Sequence, residues 1–203
     1  NYVYDSDGNH FNDPKYLDKS LEKLQKRQRR LSRKKKGSKN RAKQRTSVAR
    51  VHEKITNQRD NFLHKLSRHY INNYGFIAVE DLQIKNMVRN RHLAKSISDA
   101  SWSRFIQMLC YKAERAGCAV VKVGPRGTTQ ICSNCGKEVH KELWNRIHKC
   151  ECGLEIDRDY NSAMNILNRA LLSERQEYTP VETEPLLSNE QVCSGKQEAP
   201  CVS

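Results

Sequence analysis

The sequence predicts an α/β fold with a long basic helical hairpin and an inserted four-cysteine ribbon. Three observations predict it. Two short apolar runs, Phe76 to Val79 and Ala119 to Val123, alternate with helical patterns, as in a sheet covered by helices. Leucines recur at helical spacing through a segment crowded with Lys and Arg. Two close cysteine pairs, each followed by glycine, lie between the second apolar run and the last helical segment.

In chain order, Tyr2, Val3 and Tyr4 favour a strand, Asp5 to Asn9 is turn chemistry, and His10-Phe11 begin a return. A short hairpin is therefore expected over residues 1–11. Asp13-Pro14 punctuates. From Lys15 to Lys36 the spacing of Leu17, Leu21, Leu24 and Leu31 is helical, and Gly37-Ser38 breaks the pattern. A second helix is expected from about Asn40 to Tyr74, with Val48, Val51, Ile55, Phe62, Leu66 and Tyr70 on one side. Two helices joined by a short glycine turn make an antiparallel hairpin spanning 15–74. The run Phe76 to Val79 reads as a buried strand ending at Glu80-Asp81. Ser98 or Asp99 is placed to cap a helix from about Ala100 to Ala116, stopped by Gly117. Ala119 to Val123 is a second buried strand, and a last helix is expected from about Tyr160 to Leu172. From Ser173 to Ser203 the chain holds six Glu and two basic residues, with proline and no periodicity, which reads as a disordered tail.

Charge sharpens the picture. Of the formal net +14, all is accounted for between Lys15 and Arg50, where sixteen Lys and Arg face only Asp18 and Glu22. Charge packed into one segment is the footprint of a polyanion partner, with Lys26, Arg30, Arg33 and Lys34 as candidate phosphate contacts. The plainer alternatives are a solvated helical face or a tail attracted to anionic lipid. No run of 18 or more apolar residues occurs, no signal peptide is visible, and a membrane partner is not expected.

The cysteine block is Cys132-x-x-Cys135, fourteen residues, then Cys150-x-Cys152. Zinc takes four soft ligands at tetrahedral angles, and the two pairs supply them; a site closed by four thiolates is structural. Reduced structural cysteines or two disulfides are the alternatives. His140 and His148 lie between the pairs as substitute ligands. Cys110 and Cys118 sit in apolar surroundings and read as core residues.

The acidic candidates are Glu80 at the end of an apolar strand and Asp157-Arg158-Asp159 before the last helix. Singly, Glu80 reads as a solvated strand end and Asp159 as a helix cap. Together on an α/β scaffold they point to carboxylates converging on divalent metal. Two-metal phosphodiester cleavage needs acidic oxygens that hold the ions about 3.5–4 Å apart.

Longer motifs now become specific. Gly124-Pro125-Arg126-Gly127-Thr128-Thr129-Gln130-Ile131-Cys132-Ser133-Asn134-Cys135-Gly136 resembles the entry to the zinc ribbon of the TnpB family. Asp157-Arg158-Asp159-Tyr160-Asn161-Ser162-Ala163-Met164-Asn165-Ile166 resembles that family's closing D-R-D-x-N-A-A-x-N-I motif, with serine for the first alanine. Val79-Glu80-Asp81-Leu82 matches its E-D-L motif, and the hairpin with Leu31 to Ser38 also fits. The resemblance covers roughly Asn1 to Leu172. TnpB (OrfB) proteins are encoded by insertion-sequence transposons, were long labelled transposases, act as RNA-guided DNA endonucleases and are related to type V CRISPR effectors.

The resemblance implies a RuvC-like (RNase H-type) core, truncated at its first strand. It would divide the chain into a core part at 1–130, a zinc ribbon at 131–153, a last RuvC segment at 154–172 and the tail at 173–203. It implies Glu80 and Asp159 as catalytic carboxylates, with Asp157 the second choice and Arg126 a phosphate contact. It implies structural zinc, catalytic Mg or Mn in the intact protein, and DNA and a transposon-end guide RNA as partners, in a prokaryotic, nucleoid-associated cytoplasmic setting. The family's first aspartate, in a D-x-G step, has no match here. It is expected upstream of Asn1, which leaves this chain alone inactive. The competing reading is a truncated, non-catalytic zinc-ribbon protein that binds nucleic acid. A basic coiled coil explains Lys15 to Tyr74 and nothing after it.

Overall fold

The computed structural model describes residues 2–142 and 144–177. The chain opens with the expected hairpin, β1 (Val3–Tyr4) paired antiparallel with β2 (His10–Phe11). Its turn is closed by Asp5, whose Oδ1 accepts from the amides of Asp7 (3.1 Å) and Asn9 (2.8 Å). Tyr2 and Phe11 carry the hairpin onto the main core.

The basic hairpin is α1 (Tyr16–Ser32) and α2 (Lys39–Asn73). Ser38 caps α2, its hydroxyl accepting from the Arg41 amide at 3.2 Å. Arg41 in turn donates to the Leu31 (3.1 Å) and Lys34 (3.0 Å) carbonyls at the end of α1, tying the connection. Along the seam Leu24, Val51 and Ile55 are buried, each worth ~1.5–3 kcal/mol. Of the four leucines marking α1 only Leu24 is fully covered, so this arm is thinly cored.

Further along, α2 joins the main core. Leu63, Leu66, Tyr70 and Ile71 pack with Phe105, Met108, Leu109 and Ala113 of α5 (Trp102–Ala116). Before it come two short helices, α3 (Ile84–Met87) and α4 (Ala94–Ala100). The helix expected from Ala100 thus begins at Trp102, after Ser101 turns left-handed (φ 56°), and no side chain caps it. Asp99 is engaged elsewhere: it accepts from the Leu17 amide at 3.3 Å and pairs with Arg59.

The two apolar runs form a parallel pair, β3 (Phe76–Glu80) and β4 (Ala119–Val123), with Glu80 opposite Val123. All five residues of β3 are only partly buried. In the cysteine block, two three-residue strands that the sequence did not announce, β5 (Ile147–Lys149) and β6 (Glu155–Asp157), pair antiparallel. The last helix, α6 (Arg158–Glu177), packs on both β3 and β4 and touches β1. It starts two residues earlier than expected and runs five residues into the segment read as tail. The rest of that tail, from Tyr178, lies outside the described residues. No helix among them is long and apolar enough to cross a membrane.

Candidate functional site: carboxylates beside a four-thiol knuckle

The four cysteines converge. The Sγ atoms of Cys132, Cys135, Cys150 and Cys152 lie within 4.8 Å of one another, with Cys132 to Cys152 at 3.7 Å and Cys135 to Cys150 at 3.5 Å. Four sulfurs about 2.3 Å from a tetrahedral ion stand about 3.8 Å apart, so the donor set fits such an ion. Gly136 (φ 75°) and Gly153 (φ 90°) supply the left-handed turn after each pair, where a side chain would be strained. The Leu154 amide and the Asn134 side chain hold the Cys152 thiol below its usual range, while burial and the neighbouring thiols push Cys150 up. His140 and His148 stand outside the set. His148 is fully buried, with its Nδ1 against Lys141, whose Nζ also donates to the Thr129 carbonyl at 3.0 Å. Cys110 and Cys118 are half-buried; Cys118 packs against the main core, and its thiol donates to the Tyr74 carbonyl.

Glu80 closes β3, half-buried beneath the loop that follows β4. Burial raises its carboxyl above the usual range, opposed by the Thr128 hydroxyl, which donates at 3.3 Å, and by the Arg169 guanidinium. Thr128 is buried, and its hydroxyl also bonds the Pro125 carbonyl at 3.1 Å. Arg169 spans the loop, donating to the Gly124 (3.2 Å) and Arg126 (2.7 Å) carbonyls. The Arg126 backbone is thereby fixed, while its side chain is exposed and makes no bond to the carboxylates.

Asp157 and Asp159 have different jobs. Asp157 is the cap of α6: its Oδ1 accepts from the amides of Asp159 (2.7 Å) and Tyr160 (3.3 Å). The cap expected at Asp159 therefore sits two residues earlier, because the helix does. The Asp159 carboxylate is left to face cations, Arg158 Nε at 3.4 Å and Arg146 Nη1 at 3.9 Å. Among the described residues the cysteine set is the sole group of three or more potential ligands. Glu80, Asp157 and Asp159 do not assemble one by themselves.

What joins the knuckle to the carboxylates is a polar stripe on α6 that sequence reasoning passed over. Asn161, fully buried, accepts from the Ser133 amide (3.0 Å) and donates to the Ile131 carbonyl (2.8 Å). Asn165 donates to the carbonyls of Thr128 (2.9 Å) and Ile131 (2.6 Å). Asn161, Asn165 and Arg169 recur every four residues, so they share one helix face. That spacing was the available signal: polar residues stand where an inward face should be apolar. The basic candidates Lys26, Arg30, Arg33 and Lys34 are all exposed, and among the described residues none makes an ion pair.

Comparison with known proteins fits this layout. Residues 1–91 match the family model OrfB_IS605, described as a probable transposase, and residues 102–166 match the Cas12f1-like TNB domain. A protein of Streptomyces pristinaespiralis, provisionally named an RNA-guided DNA endonuclease, is 40% identical over 168 residues, 82% of this chain and 42% of its own. The CRISPR-associated endodeoxyribonuclease Cas12f1 of Sulfoacidibacillus thermotolerans is 34% identical over 128 residues, 59% of this chain and 29% of its own. A cryo-EM structure of a Cas12f1–sgRNA–target DNA complex shares the fold with a TM-score of 0.53 at 21% identity, covering 80% of this chain and 45% of that one. The chain thus spans less than half the length of these relatives. It belongs to the TnpB (OrfB) family of transposon-encoded proteins.

Proposed function

We propose that this chain provides the RuvC-like part of an RNA-guided DNA endonuclease, with Glu80 and Asp159 as metal-holding carboxylates. The observation that carries the reading is the division of labour at the start of α6. Asp157 caps the helix, so Asp159 is not needed there, and α6 packs on the strand that ends in Glu80. Divalent Mg or Mn would activate water and stabilise the leaving oxygen of a phosphodiester. The protein's own contributions are the Thr128 hydroxyl that orients Glu80 and the α6 stripe that holds the loop beneath which Glu80 lies. The four-thiol knuckle is read as a structural zinc site, since four sulfurs leave no open position for substrate. The domain division at 130 and 153 follows, with Ile131 and Ser133 as the anchoring points of the ribbon.

The exposed, unpaired cations of the hairpin are read as contacts to DNA or guide RNA phosphates. The partners and the cellular setting follow the same reading: DNA, a transposon-encoded guide, and a prokaryotic cytoplasm. The test is cleavage of target DNA by the full-length gene product with its guide. Cleavage should require Mg or Mn and disappear in Glu80→Gln, with guide and target binding kept. Retained binding without metal-dependent cleavage in the unaltered protein would instead make it a non-catalytic binder.

A further inference from the structure

The hairpin that opens the chain is fastened to the helices by tyrosines. Tyr2 is buried, and its hydroxyl donates to the Ala100 carbonyl at 2.8 Å. Its ring meets Phe62 and Phe105 edge-on, at 5.3 and 6.0 Å. At the turn, the Tyr74 hydroxyl donates to Asp7 at 2.6 Å and the Tyr70 hydroxyl to Asp5 at 3.4 Å. Tyr4, between these anchors in the chain, makes a different contact. It stacks on His10, its partner across the strand pair, at 5.7 Å and 27°. It also meets Tyr160 of α6, with ring centroids 5.8 Å apart. Both separations lie in the range of attractive aromatic pairs. Tyr160 directly follows Asp159 in the first turn of α6. Partial burial pushes the Tyr4 phenol up, aided by Asp157, Tyr160 and Asp159, so both acids lie within its electrostatic reach.

Among the described residues the Asp159 carboxylate meets Arg158 and Arg146 at 3.4 and 3.9 Å, contacts too long to fix it. Its place therefore depends on the turn that carries it. The stripe of Asn161, Asn165 and Arg169 holds α6 along one face. Successive helical residues point about 100° apart, so Tyr160 leaves the helix in another direction from Asn161. A helix held along one line can roll about that line, and a second contact off the line stops it. We propose that Tyr4 is a positioning residue for Asp159: its ring, backed by the fastened hairpin, meets Tyr160 and keeps the first turn of α6 from rolling. The inference rests on the metal-holding role read for Asp159, whereas the brace itself rests on the ring contacts.

The test uses the full-length gene product with its guide and has two readouts. Hydrogen exchange without divalent metal should show the amides of Asp159 and Tyr160, both bonded to Asp157, exchanging faster in Tyr4→Ala than in the parent. Tyr4→Phe keeps the ring and should match the parent. With Mg present, Tyr4→Ala should cleave saturating target roughly tenfold to a hundredfold more slowly, because displacing a reacting group by about 1 Å can cost that much. Target binding should be unchanged, and Tyr4→Phe should cleave at the parent's rate. Tyr160→Ala removes the same contact from α6 and should give the same two losses, whether or not Tyr4→Ala folds. The double variant should be no slower than the worse single one, since both remove one contact. A ring that served folding alone would lower the melting temperature and leave both readouts unchanged below it, and that result overturns the proposal. So does a Tyr4→Phe as slow as Tyr4→Ala, which would move the effect from the ring to the hydroxyl. If the parent does not cleave, the nuclease reading falls and exchange alone decides the brace. If Asp159→Asn is inactive while Tyr4→Ala matches the parent in both readouts, the brace falls and the nuclease reading stands.

Discussion

The hairpin arm and the junction between α6 and the ribbon bury opposite things. The arm covers three apolar residues, Leu24, Val51 and Ile55, and turns Lys26, Arg30, Arg33 and Lys34 outward, none of them in an ion pair among the described residues. The junction buries polar groups, Asn161, Asn165 and Thr128, and satisfies them with backbone partners. A thin apolar seam tolerates change and leaves its surface free for a partner. A satisfied polar network fixes one geometry, because each group left without its partner in the interior is costly. On the proposed function, binding falls to the arm and positioning to the junction.

The comparison breaks most visibly if metal is removed. Stripping zinc should unfold residues 131–153 locally and leave the hairpin helical, since metal binding and folding are linked in such modules. Elemental analysis should give one zinc per chain, and hydrogen exchange should show the loss confined to the ribbon. Next in size is Asn165→Ala, which orphans the Thr128 carbonyl and leaves the Ile131 carbonyl with only its bond from Asn161. A loss of roughly 1–3 kcal/mol in denaturant melts is expected, for one unsatisfied buried group. A value under ~0.5 would mean that water takes the asparagine's place.

Asp157→Ala should cost about 1 kcal/mol through the lost cap. Lys26, Arg30, Arg33 and Lys34 changed together to Gln should shift stability by less than ~0.5 kcal/mol, as exposed positions do. The same variant should flatten the slope of log affinity against log salt by up to ~0.9 per lost contact. An unchanged slope would make these charges a solvated face.

The smallest effect is on Glu80, whose carboxyl burial raises. A carboxyl raised on folding is favoured protonated, so its contribution is fully present below the unfolded value of about 4.5 and is lost as pH rises through the folded one. Without metal, Glu80→Gln should therefore melt higher than the parent at neutral pH. The gap should close as pH falls through the carboxylate range.

These two regions were unequally legible in the sequence. The hairpin could be read because leucine spacing, a glycine break and a run of cations are local signals. The knuckle was legible for the same reason, two cysteine pairs with trailing glycines. Glu80 followed from an apolar strand ending in an acid. The roles of Asp157 and Asp159 were not separable, because a cap is defined by where its helix begins, and the two-residue difference in that start exchanges them. Nor were Asn161 and Asn165 legible singly: their partners lie 28 to 37 residues away along the chain. The strands β5 and β6 are three residues each, too short for alternation to register. Ser98 and Asp99 looked like caps because the break at Ser101 depends on a left-handed residue that is not glycine.

The central claim is that Asp159 holds catalytic metal while Asp157 holds the helix. The most direct measurement is Asp159→Asn in the full-length gene product with its guide, scored for DNA cleavage alongside thermal stability and target binding. Asparagine keeps the shape and removes the charge a divalent ion requires. Cleavage should be lost, with binding intact and stability changed by less than ~0.5 kcal/mol. Full cleavage by that variant would contradict the assignment and move the catalytic role to Asp157.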